Sequence, residues 1–219
     1  MAIAPHGFSK GDFMLDLFYQ VSLTVLRDEA KGCTRCPLYI PATQTVFGEG
    51  PENALVVFVG EQPGDQEDLA GRPFVGPAGK MLDKAMAEAG LNRAAVYITN
   101  AVKHFKFTPR GKIRLHQKPE TSEINACRTW VEREIAAIQP KLVVALGATA
   151  ARSGAGKTVT IGKVRGQKFE LYGRPGLVTV HPSYLLRLPD PQLAAAEYER
   201  FVTDLALVGE WVPEVRIAA

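Results

Sequence analysis

Cysteine is scarce here, with three in 219 residues. That is too few for a disulfide scaffold, and the odd number leaves a thiol over. Long apolar runs are missing too. The most apolar N-terminal stretch, Leu15 to Leu26, is broken by Asp16, Gln20, Ser22 and Thr24. It is shorter than the roughly 20 residues that span a bilayer and reads as an amphipathic helix. Residues 1–11 lack a basic start leading into an apolar run and a small-residue cleavage site, so no signal peptide is expected and the protein is read as soluble and cytoplasmic. A net charge of +3 is too small to argue for a polyanionic partner by itself. No internal repeat or low-complexity linker is present. The segment Ser153-Gly-Ala-Gly-Lys-Thr158 lacks the glycine that a phosphate-binding loop needs at Ala151, and no apolar strand runs into it, which excludes a nucleoside triphosphate site there.

At 46% hydrophobic content the chain is long enough for one substantial core. It is read as a single domain over 1–219, with residues 1–30 as an N-terminal helical extension. Apolar runs at Ala54–Val59, Ala95–Thr99 and Lys141–Leu146 read as strands, the last almost wholly apolar as a central parallel strand should be. Helices are expected at Lys80–Ala89, Ser122–Ile138, from Gly147 to Ser153, and at Pro191–Val208. Short strands are expected at Phe169–Leu171 and Leu177–Val180. This alternation predicts a three-layer α/β/α sandwich around a mostly parallel sheet.

The most informative stretch is residues 60–79, with five glycines, three prolines, four acids and Phe74. It follows a strand and precedes a helix, where α/β proteins place their chemistry. Cys33-Thr-Arg-Cys36 has a ligand-like spacing, with Cys127 far downstream and His104 the best placed fourth donor. Metal or cluster binding competes here with a free-thiol pair or a redox pair. Between Lys103 and Lys118 six cations and two phenylalanines occur with no acid from Ala101 to Pro119. This suits either a solvated face or a nucleic-acid backbone with stacked bases. His116 lies in that segment. His181 stands at a strand end before Pro182, placed for either a core or an active-site role.

Together these segments, from Cys33 to about Arg187, resemble the uracil-DNA glycosylase superfamily. They are closest to its iron–sulfur family 4 and to the uracil-DNA cross-linking branch called UdgX. The Gly60–Gly79 block and His181–Arg187 resemble the two active-site motifs. The resemblance implies a [4Fe–4S] cluster on Cys33, Cys36, His104 and Cys127, with histidine where family 4 usually has cysteine. It also implies uracil binding by Gly60, Phe74 and Asn100, a charge-stabilising His181, and DNA contacts from Ser183 and Arg187. Gln62 stands where relatives place the group that handles the catalytic water, and Asp65 is left to polarise a water or steady the cationic sugar. Gly-Lys-Ile-Arg-Leu-His, 111–116, resembles the basic insertion of the cross-linking branch, though Ile113 and Leu115 depart from its arginine-rich form. It makes His116, oriented by Glu61, the nucleophile that joins the sugar C1′. Lys112, Arg114 and Lys118 become DNA-contact residues of that loop. The expected protein is therefore a monomeric, single-turnover enzyme acting on uracil-containing DNA, with single strands preferred and no membrane partner. A multiple-turnover family 4-like glycosylase and a non-catalytic metal or iron–sulfur nucleic-acid-binding module are the competing readings.

Overall fold

The computed structural model describes residues 22–217. Its centre is a five-stranded sheet in the order β2-β1-β5-β7-β6. The strands are β1 (Val56–Gly60), β2 (Val96–Asn100), β5 (Leu142–Leu146), β6 (Lys168–Leu171) and β7 (Arg174–Thr179). Four run parallel, and β6 pairs antiparallel with β7 at the edge. Strands β1 and β5 are buried along their whole length and almost wholly apolar because both faces are covered, as buried parallel strands require. Val57, Val59, Val143 and Ala145 face one helical layer, whereas Val56, Phe58, Val144 and Leu146 face the other.

The first layer holds α1 (Leu23–Lys31), α4 (Thr121–Ile138) and α5 (Ala148–Ala155). Helix α4 buries Ile124, Cys127, Val131, Ile135 and Ile138 at three- and four-residue spacing, so one stripe meets the sheet. It ends at Gln139, whose left-handed φ of 53° precedes Pro140 and stops the helix. The second layer holds α3 (Pro77–Glu88) and α8 (Pro191–Trp211), packed through Leu82, Met86, Phe201 and Leu205. Asp190 caps α8 by accepting from the Gln192 and Leu193 N–H groups. The expected α/β/α architecture is therefore observed. No helix among the described residues is long and apolar enough to cross a membrane.

Several local expectations need correction. The glycine-rich stretch is not all loop: α2 (Asp65–Ala70) forms inside it, and α3 begins at Pro77 rather than Lys80. Glu67 makes this possible by accepting from the Gly64 and Gly76 N–H groups, which draws two turns onto one carboxylate. The basic segment is a β-hairpin, β3 (Phe107–Arg110) with β4 (Ile113–His116), turning at Gly111. Its lack of apolar periodicity reflects a two-stranded sheet that stands outside the main core. Residues 15–21 of the expected first helix fall outside the described residues. From Leu23 onward the helix is part of the core, with Leu23, Leu26 and Ala30 buried, rather than an extension of it. Two further short helices, α6 (Ile161–Val164) and α7 (Pro182–Leu185), flank the carboxyl end of β7.

Candidate active site

The parallel strands β1, β2, β5 and β7 end on one side of the sheet, and their following turns meet there. A cleft of about 840 Å3 is lined by Glu61 after β1, His116 from the hairpin, Gly147 and Thr149 after β5, and His181, Ser183 and Arg187 after β7. The hairpin thus brings a residue 55 positions downstream of Glu61 to the same cleft.

Beside the cleft, Gly60, Phe74 and Asn100 form one contact. A Cβ on Gly60 would stand 2.3 Å from Asn100 Oδ1 and 2.6 Å from Phe74 Cζ, so only glycine permits the approach. Phe74 is buried with a left-handed φ of 55°. Such strain costs about 1–3 kcal/mol and is retained where the surroundings over-determine it. Its ring centroid is 6.0 Å from that of His181. Asn100 Oδ1 is buried without a hydrogen-bond partner among the described residues. An unpaired buried acceptor costs about 1–3 kcal/mol, and a ligand donor would relieve it.

His181 is held in one tautomer. Its Nδ1 accepts from the Ser183 backbone N–H at 3.2 Å, and that donor cannot reverse roles. The proton of the neutral ring is therefore on Nε2. The Ser183 hydroxyl lies 2.8 Å from the same Nδ1 and accepts from Arg187 Nη1 at 2.9 Å. Burial, then the charges of Arg187 and His116, lowers the His181 pKa to about 4. It is a neutral donor at physiological pH.

His116 Nε2 lies 3.4 Å from Glu61 Oε1, and the His116 side chain is half exposed. Burial and Arg187 push its pKa down, whereas Glu61 pushes it up. Glu61 Oε2 accepts from the Thr149 hydroxyl at 2.5 Å. Thr149 is a member of the site that sequence reasoning missed. Its only signal was a position just inside the helix that follows a central strand.

Three residues expected to face substrate are occupied elsewhere. Gln62 Nε2 donates to the carbonyls of Lys106 and Gln117, and Gln62 Oε1 accepts from the Lys106 N–H. Its amide is therefore consumed in closing the base of the hairpin. Arg114 turns inward, donating to Asp65 Oδ1 and Asp68 Oδ2 at 2.6 Å each and lying 5.4 and 5.1 Å from the Phe105 and Phe107 ring centroids. Asp65 is thus engaged by Arg114. Lys112 and Lys118 are exposed, and Lys118 lines the cleft.

Cys33, Cys36 and Cys127 are unpaired and buried in one cluster. Trp130 Nε1–H donates to Cys33 Sγ and the Lys103 N–H to Cys127 Sγ, each at 3.2 Å. Burial raises the Cys36 pKa and carries that of Cys127 to about 12, so apolar surroundings alone hold both as thiols. Among the described residues no three His, Cys, Asp or Glu side chains converge on a single ion. His104 carries a separate clue. Thr45 donates its one hydroxyl proton to the Ala30 carbonyl at 2.9 Å, so its 2.9 Å contact with His104 Nε2 makes that nitrogen the donor. The lone pair is then on Nδ1, which is buried and unpartnered. Three buried sulfurs, two of them accepting N–H bonds, and one orphaned imidazole lone pair are a donor set that fits a [4Fe–4S] cluster, whose ligands each take a separate iron.

Comparisons with known proteins identify the family. A sequence profile of the Uracil DNA glycosylase superfamily matches residues 47–206. A type-4 uracil-DNA glycosylase of Thermotoga maritima is 42% identical over 167 residues, covering 75% of this chain and 83% of that protein. One from Sulfurisphaera tokodaii is 39% identical over 74% of this chain and 73% of its own. That of Archaeoglobus fulgidus is 35% identical over 197 residues, covering 86% of this chain and 92% of its own.

Proposed function

The chain belongs to the uracil-DNA glycosylase superfamily, alongside its type-4 members, and on that footing we propose that it excises uracil from DNA and then captures the sugar through His116. The observation that carries the second step is the placement of His116 beside Glu61 in the same cleft as His181.

The target nucleotide must leave the stack before its glycosidic bond is accessible. Phe74 offers a ring face to the extruded base. Asn100 offers Oδ1, unpartnered until a ring N–H of uracil reaches it. His181 donates through Nε2 to the uracil oxygen on which charge gathers as the glycosidic pair departs with the base. Because the imidazole is neutral and desolvated, its N–H supplies this bond without first losing a proton. Glu61 lines the same cleft, and its carboxylate would steady the electron-poor C1′ region.

The cationic sugar then needs an electron pair. Gln62 is spent on the hairpin and Asp65 on Arg114, which leaves a neutral His116 as the nearby donor. The lone pair of the ring nitrogen turned away from Glu61 forms the bond to C1′, and the ring, now cationic, keeps its Nε2 proton and is paired with the Glu61 carboxylate. Cys33, Cys36, His104 and Cys127 would hold the cluster. Through these four residues it would tie the segment after α1 to α4 and to the chain after β2, at the root of the hairpin.

The test is a denaturing gel after incubation with uracil-containing single-stranded DNA. A detergent-resistant shifted band that disappears in His116→Ala supports capture. Persistence of the band in His116→Ala removes that role. The type-4 names of the relatives favour a second reading, multiple turnover with a free abasic site, which would give alkali-labile cleavage and no shift.

A further inference from the structure

We propose that Thr149 is a positioning residue of the capture step, its hydroxyl holding Glu61 so that the other carboxylate oxygen is presented to His116. This rests on the reading of His116 as the nucleophile.

Glu61 has two side-chain partners among the described residues, one on each oxygen: Thr149 on Oε2 and His116 facing Oε1. Thr149 is only 2% exposed, so water does not compete for its hydroxyl proton. Its backbone is equally fixed. Gly147, at φ +89°, makes the turn from β5 into α5 and donates its N–H to the Thr179 carbonyl. A Cβ at Gly147 would stand 3.0 Å from the Cβ of His181. One turn therefore sets the position of the base-leaving group's donor and, two residues later, of the carboxylate behind the nucleophile.

The groups around His116 make this contact consequential. Glu61, Arg187, His181 and Lys118 face it across the cleft, Phe105 packs against it with a centroid separation of 6.2 Å, and Arg114 is neutralised by Asp65 and Asp68. Glu61 is the one carboxylate paired with the ring among the described residues; Glu197, on the same cleft, is held by Arg165 and Arg200. A hydroxyl donating to a carboxylate disperses its charge and keeps it in place. Released, Glu61 becomes more basic and free to close on the ring, which then keeps a second proton. A doubly protonated imidazole has no lone pair to attack C1′.

The experiment measures, for the full chain at about pH 6, the fraction of processed uracil that ends as shifted band rather than alkali-labile abasic site. Thr149→Val should lower this fraction by roughly 1.5- to 2.5-fold, the loss of neutral ring at that pH for a rise of about half a unit in the His116 midpoint. Thr149→Ser should restore it. A Val variant that loses both products in proportion, with the fraction unchanged, would show a merely structural residue and overturn the proposal. The His116 midpoint is read separately by NMR titration of ring resonances. A midpoint in Thr149→Val that stays put or falls overturns the proposal whether or not cross-linking occurs. Wild-type protein that releases uracil without any shifted band overturns the His116 reading instead, and the titration still decides for Thr149.

Discussion

The carboxamide of Gln62 donates to the carbonyl of Gln117 at 2.9 Å, joining the turn after β1 to the residue that follows His116. With its bonds to both the N–H and the carbonyl of Lys106, this one side chain closes the hairpin at its root. Gln62→Glu removes both donors and places a negative charge against two carbonyls. At about 1 kcal/mol per lost bond, it should loosen the hairpin by about 2 kcal/mol or more. Amide hydrogen exchange in β3 and β4 should accelerate by tenfold or more on the order expected for that loss. Unchanged protection there would refute the clamp.

Arg114→Ala should destabilise the protein by about 2 kcal/mol, because Asp68 is wholly buried and keeps only its two bonds from the Thr43 N–H. Urea unfolding measures this. If the variant is as stable as wild type and instead binds DNA more weakly with a shallower salt dependence, Arg114 contacts phosphate rather than the acids of α2.

His181 makes a signed contribution to pH stability. Its folded pKa is about 4, against about 6.5 when unfolded, so between those values the unfolded chain binds the extra proton. Stability is therefore retained above about pH 6.5 and lost as the pH falls towards 4, by up to about 2–3 kcal/mol given partial exposure of the residue. His181→Asn should remove this component, seen as a smaller difference in unfolding free energy between neutral and acidic pH. An equal difference in both proteins would contradict the low folded pKa.

The cluster assignment predicts a brown protein with broad visible absorbance and roughly four irons per chain. His104→Ala should lose most of that iron, and His104→Cys should keep it. Thr45→Val leaves the His104 tautomer unspecified and should lower cluster yield without altering the fold. Full iron content in His104→Ala would exclude Nδ1 as a ligand.

The sandwich was legible because Val56 to Gly60 and Leu142 to Leu146 are apolar on both faces, a pattern that needs helices above and below. The hairpin was not. Its alternation is carried by Thr108, Arg110, Arg114 and His116, whose faces are sorted by ion pairs and ring stacking rather than by apolarity. Glu61, Phe74, Asn100, His116 and His181 were nameable from motif and strand-end position, and the fold brings them together. The use of Gln62 as a clamp was not legible. A glutamine's partners were backbone groups some forty to fifty-five residues away, and backbone acceptors carry no sequence signature. Thr149 was hidden for the same reason, since its meaning depends on a carboxylate 88 positions earlier.

The hairpin shares no strand with the five-stranded sheet. It is tied down by Gln62, Arg114 and the packing of Phe105 and Phe107, all lying outside the Gly60–Phe74–Asn100 contact. If His116 captures the sugar as proposed, the hairpin is a cassette that is separate from the Gly60–Phe74–Asn100 contact. Deleting it would strand Asp68 and Gln62, so on the capture reading a turnover enzyme would need both replaced as well. On the same reading, the unit to graft onto a related scaffold is the hairpin together with Gln62, Asp65 and Asp68, whose side chains hold it.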